Sequence, residues 1–275
     1  MEGNKIAGII IIIALILSVV LVGYNSINST ATVNEDVTVV ESVHVMEESE
    51  LNQTLIDGSE NSNLTTINLN INQETGGSKI EFMDNTTQIY KVVSKDDKNA
   101  TPTTVTTNQE NDKLDVNINS KSSDNTIMLS NKYNYNISGR IVAGGLTANL
   151  NNASKVSDLS ADITAGGVSI KLGGGTLNSS NIKVTTGGLD ISGQPVGVSQ
   201  INSKIDVGGV NLHLDKPVAD IFSNVEVGGI NPGDYQKISN IEYKGNEFDS
   251  SENKLILNST ITLGGLNTQP LPISG

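Results

Sequence analysis

The chain has 275 residues, a net charge of −13, no Cys and no Trp. Missing thiols exclude disulfides, thiolate catalysis and zinc sites built on sulfur. The acidic excess disfavours phosphate backbones and anionic lipid heads, so no nucleic-acid partner is expected, and a single Arg, Arg140, leaves no set of guanidiniums to clamp an anion.

Residues 6–22 form an uncharged apolar run, extended by Gly23 and Tyr24. That is near the lower limit for crossing a bilayer as a helix. The two readings are an uncleaved anchor and a cleaved signal peptide. The end of the run, Leu21-Val22-Gly23, lacks the small residues of a cleavage site, which favours the anchor. Lys5 precedes the run and no basic side chain follows it until Lys79. The positive-inside rule then puts the N-terminus in the cytoplasm and the rest outside, with membrane lipid as partner of residues 6–24. Residues 25–62 read as an acidic stalk, with a candidate strand from Val37 to Val45.

From residue 63 onward the chain reads as β-structure. Ile67, Leu69 and Ile71 alternate with polar residues, and Gly76-Gly77 precedes a second apolar alternation. Further strands are expected at Ile89 to Val93, Leu114 to Ile118 and Ile127 to Leu129, with the polar stretch Ser94 to Asp112 as a loop. These segments are either rungs without Gly-Gly or a separate antiparallel cap.

A repeat then dominates. A β-branched residue, two residues, Gly-Gly and an apolar residue recur at Gly144-Gly145, Gly166-Gly167, Gly187-Gly188, Gly208-Gly209, Gly228-Gly229 and Gly264-Gly265. The first Gly advances by 22, 21, 21, 20 and 36 residues, the last step being one rung plus an insertion near 231–258. A fixed period of this length marks stacked units, none of which can bury its apolar face alone. Glycines suit corners where stacked backbones approach closely. The expected fold is all-β: a right-handed parallel β-solenoid, a single-stranded β-helix over 63–275, behind a transmembrane helix at 1–24.

The run Thr126 to Leu129, then Tyr133 to Ile137, then the Gly-Gly ladder resembles the putative adhesin and toast-rack-like domains of bacterial and archaeal envelope proteins, a family of unknown function. The resemblance covers about residues 62–270 and implies a membrane-tethered β-solenoid. Some relatives belong to envelope-stress systems. No catalytic motif is shared, so no functional residue carries over.

Candidate chemistry is sparse. His213, between Leu212 and Leu214, faces solvent without a second His or Cys to complete a metal site, and His44 is similar. Asp206 and Glu226 fall at one repeat position and read as adjacent rungs, which makes them a weak candidate for a metal or glycosidase carboxylate pair; Asp190, Asp215 and Asp220 are near in sequence. Gly173-Gly174-Gly175 has no following GK[ST] and reads as a wide corner. Nine N-x-[ST] sequons among 34 Asn permit glycosylation without requiring it. The insertion holds Tyr235, Tyr243 and Phe248, as a binding loop or as a cap on an open end. No cofactor motif is present. The expected protein is a non-enzymatic envelope module that contacts cell-wall polymer or another membrane protein. The alternatives are a stress-signalling subunit and a carbohydrate-active β-helix enzyme.

Overall fold

A computed structural model describes residues 48–51, 63–84, 86, 88–97 and 100–268. The apolar run at 6–22, His44 and the candidate strand at Val37 to Val45 lie outside them. No helix among the described residues is long and apolar enough to cross a membrane.

The described chain is all β, in one mixed thirteen-stranded sheet. Eight long strands form the rungs: β2 Thr66–Met83, β5 Lys113–Ser130, β6 Asn134–Leu150, β7 Lys155–Gly173, β8 Thr176–Gln194, β9 Val198–Leu214, β10 Ala219–Asn231 and β13 Lys254–Thr268. Five short strands flank them: β1 Glu48–Leu51, β3 Tyr90–Asp96, β4 Thr104–Glu110, β11 Gln236–Lys237 and β12 Glu242–Lys244. The rungs pair parallel and in register, so equivalent residues form columns. Ile141, Ile163, Val184, Ile205 and Ile261 make one inner column, each 0–1% exposed. Thr, Asp, Lys and Asn alternate outward between them. The period-2 pattern thus becomes one dry and one wet face.

The stacking order differs from the chain order. Rungs run β5-β2-β6-β7-β8-β9-β13-β10. The first rung in sequence, β2, lies between β5 and β6, and the last, β13, lies between β9 and β10. Both chain-terminal rungs are therefore inner ones. β5 and β10 close the ends of the stack.

The corner explains the glycines. In ladder order, a Cβ on the first Gly of each pair would strike the backbone of the preceding rung. At Gly208 it would lie 1.5 Å from the Gly187 carbonyl oxygen, and φ there is +141°. A Cβ on the second Gly would point the other way, 2.8 Å from the Gly265 oxygen at Gly209. The pairs from Gly144-Gly145 to Gly208-Gly209, and Gly264-Gly265, are thus approached from both sides, whereas a Cβ on Gly77 would be at an ordinary 3.9 Å from the Gly145 oxygen. End rungs escape one constraint. β5 has no preceding rung, and Ser123 with an ordinary φ stands in its first-Gly position. β10 has no following rung, and a Cβ on Gly229 would meet nothing within 4 Å.

The two ends are finished differently. At the β5 end the inner columns turn polar: Ser120, Gln73, Ser78 and Asn125 replace the apolar residues beside the corner. Burial there is tolerated because the groups satisfy one another. The Ser78 hydroxyl donates to Gln73 Oε1 at 2.6 Å, the Ser94 hydroxyl to Asn125 Oδ1 at 2.7 Å, and Thr103 links Ser123 to Asp96. β3 and β4 then cover β5 antiparallel along both arms, and β1 pairs with β3. Residues 48–51, read as stalk, thus join the sheet. The segment Ser94 to Asp112, expected as a loop, holds β4, whose Thr-Val-Thr-Thr run has β-branched strand character. At the other end the insertion supplies β12 and β11, but β12 covers only Asp220–Phe222 of β10.

Gly208→Ala is expected to destabilise the protein by more than about 3 kcal/mol, through clash and left-handed strain, and Gly229→Ala by less than about 1 kcal/mol. Denaturant unfolding of both variants checks the contrast. Equal costs would contradict the corner geometry.

Candidate interaction surface

The outward columns carry a pattern that the repeat reading overlooked. Asparagine amides hydrogen-bond from rung to rung. Asn258 Nδ2 donates to Asn202 Oδ1 at 2.9 Å, and Asn202 Nδ2 donates to Asn181 Oδ1 at 3.1 Å. On the first rungs, Asn136 donates to Asn68, and Asn68 to Asp115 Oδ1 at 2.7 Å. Asn70 donates to Asn117, Asn72 to Asn119, and Asn231 to Asn267. An amide both donates and accepts, so identical side chains at the rung repeat of about 4.8 Å form continuous ladders. The signal was present in the alternations Asn68-x-Asn70-x-Asn72 and Asn117-x-Asn119. Two of the sequon asparagines, Asn136 and Asn258, are ladder members.

Two shallow grooves follow these ladders. One, of about 310 Å³, is lined by Asn68, Asn70, Asn117, Asn136, Asp158 and Ser160. The other, of about 510 Å³, runs along Asn181, Asn202 and Asn258, with Lys183 and Lys204 on one side and Phe222 and Ile241 at its end. Lys183 and Lys204 are register neighbours on β8 and β9, and Asp162 lies 3.7 Å from Lys183. This second groove alone combines stacked amides, two ammonium groups and an aromatic ring.

The carboxylate pair needs correction. Asp206 and Glu226 are not on adjacent rungs, because β13 intervenes and Thr262 falls between them in register. Two ladder spacings, about 9.6 Å, separate their backbones. Among the described residues no three His, Asp or Glu cluster as a metal site would require. His213 Nε2 lies 4.0 Å from Asp190 Oδ2 on the neighbouring rung. Burial raises the Asp190 carboxyl above its ordinary range, against the lowering effect of His213 and Lys171. Asp220 is buried beneath β12; desolvation raises its pKa, while Lys244 opposes the rise.

The insertion aromatics do not converge on a site. Tyr243 sits opposite Ile221 and is buried in the core. Tyr235 is half-buried against that core, and burial pushes its hydroxyl pKa up. Phe248 lies under Lys244 and Lys254, at 5.1 and 4.9 Å from its centroid. The arrangement is that of a cap over the first arm of β10. Gly174, with φ +98°, turns the chain between β7 and β8 as a wide corner.

No family model and no curated protein matches the chain. Among solved structures it is similar to a putative cell adhesion protein from Clostridium sporogenes ATCC 15579, at 17% identity and a TM-score of 0.52. The match covers 82% of this chain and 99% of that one. At this identity the likeness establishes the fold.

Asn202→Ala removes one donated and one accepted ladder bond and is expected to cost about 1–2 kcal/mol in unfolding experiments. Asp190→Asn mimics the protonated acid. The folded pKa of Asp190 is raised, so ionisation weakens the fold as pH rises through it. The gain in melting temperature of Asp190→Asn over wild type should be larger at pH 7 than at pH 3. A larger gain at pH 3 would contradict burial as the dominant influence.

Proposed function

We propose that the protein is a non-enzymatic, membrane-anchored module whose stacked rungs, a right-handed solenoid outside the cell, hold a polymer of the cell envelope. The observation that carries this reading is the groove along Asn181, Asn202 and Asn258 with Lys183, Lys204 and Phe222. Amide ladders present donors and acceptors at a fixed repeat, as a hydroxyl-rich polymer requires. The lysines suit acidic substituents despite the negative net charge, and the Phe222 ring, 36% exposed, offers a flat apolar contact for a sugar face. The name of the similar solved structure, a putative cell adhesion protein, agrees with a binding role. The apolar run at 6–22 supports tethering, with membrane lipid as its partner.

Co-sedimentation of the full chain with purified cell-wall glycan tests the reading. Wild type should be retained, and the Lys183→Ala/Lys204→Ala double variant should bind at least about tenfold more weakly at unchanged melting temperature. Failure of wild type to be retained above an uncharged cellulose control sinks the proposal, as does full retention of the double variant.

A further inference from the structure

One edge of the stack is unfinished. β10 pairs with β13 on one side. On the other, β12 covers Asp220–Phe222 and the Ser223 amide donates to the Ile241 carbonyl at 2.7 Å. From Asn224 to Asn231 no strand among the described residues pairs with that side. Unpaired strand edges attract other strands unless Lys, Pro or a bulge protects them. This stretch contains none of these, and Glu226 is its single charge.

Two independent features mark the edge as a contact. Gly229 has no reason within the chain to be glycine: its φ is not in the left-handed region, and its Cβ would meet nothing within 4 Å. Its counterparts Gly167, Gly188, Gly209 and Gly265 each face a neighbouring carbonyl at 2.7–3.0 Å, Gly145 faces one at 3.2 Å and Gly77 one at 3.9 Å. A Cβ-free surface at Gly229 has a purpose once another backbone stacks there. Secondly, exposed apolar side chains gather at this end. Val198, Phe222, Val227, Ile238, Ile241 and Leu263 all belong to β9, β13, β10 or the insertion, and Val142 alone of the large exposed ones does not.

We propose that the free edge of β10 is the dimerisation edge of this protein, taken by β10 of a second copy across a two-fold axis through the Gly228-Gly229 corner. The occupant must be bent at the same place, as a second β10 is. A head-to-tail stack is closed off, because β3 and β4 already cover β5 at the opposite end. Pairing of like β10 edges across a two-fold axis is self-complementary and closes, giving a dimer. In the sequence that follows β13, Pro270 and Pro272 lack the amide donors that a pairing strand supplies. Antiparallel register about the corner places Gly228 against Gly229, Val227 against Ile230 and Glu226 against Asn231. No carboxylate faces another, and the opposed Glu226 and Asn231 are both exposed.

The test uses the full chain in detergent micelles. Sedimentation velocity should show a dimer, and Gly229→Val should raise the dimer dissociation constant at least about tenfold with an unchanged melting temperature. Because the chain has no Cys, chains carrying Glu226→Cys and Asn231→Cys, two exposed positions opposed in this register, can be mixed and oxidised. The mixed disulfide should accumulate, with little self-linked product from either variant alone. A monomeric wild type overturns the proposal, and so does a Gly229→Val dimer of undiminished affinity. If Gly229→Val fails to fold, the cysteine mixture decides alone: absence of the mixed disulfide overturns the two-fold register.

Discussion

The fold depends on a close approach at the rung corner. From Gly144-Gly145 to Gly264-Gly265, Gly228-Gly229 set aside, each pair has the backbone of one neighbour where its first Cβ would be and the carbonyl of the other close to where its second Cβ would be. Removing both side chains lets rungs meet at ladder spacing around a bend, and the inner columns then close over Ile163, Val184 and Ile205. The constraint has a direction along the stack. It lapses at Ser123 and Gly77 towards one end and at Gly229 at the other, so the exceptions to the repeat gather where the stack stops.

Much of this was legible in the sequence. The Gly-Gly period located the rungs from β6 onward, and the apolar alternation of Ile67, Leu69 and Ile71 marked β2, where all three are buried. The stacking order was not legible. Parallel rungs of near-identical pattern pair equally well with any neighbour, so nothing in the repeat says that β13 enters between β9 and β10. The assumption of chain order brought Asp206 and Glu226 together on paper, and the inserted rung parts them. β5 was legible as two strands, Leu114 to Ile118 and Ile127 to Leu129, but not as a rung rather than a cap, because an end rung does not need the first Gly and the motif that identifies its neighbours is absent. The Asn ladders had a visible signal, but the asparagines were weighed as glycosylation acceptors rather than as rung-to-rung partners.

The same regularity shapes function. Stacked identical rungs distribute polar groups in columns, and among the described residues no three His, Asp or Glu cluster as a metal site would require. Recognition therefore falls to extended surfaces. The ladder groove with Lys183, Lys204 and Phe222 is one, and the unpaired edge of β10 is another. They lie on different sides of the last rungs: the groove follows the outward face of the first arm, and the edge continues the stacking direction.

The stacking order is the claim on which both surfaces rest, and paired cysteines test it directly in this Cys-free chain. Register neighbours about 4.8 Å apart can form a disulfide, whereas positions two rungs apart exceed its reach of about 7 Å. Oxidation of the Asp206→Cys/Thr262→Cys variant should close an intramolecular disulfide, and Asp206→Cys/Glu226→Cys should remain reduced within the chain. The reverse outcome would mean that β9 stacks on β10 in chain order, and it would contradict the account.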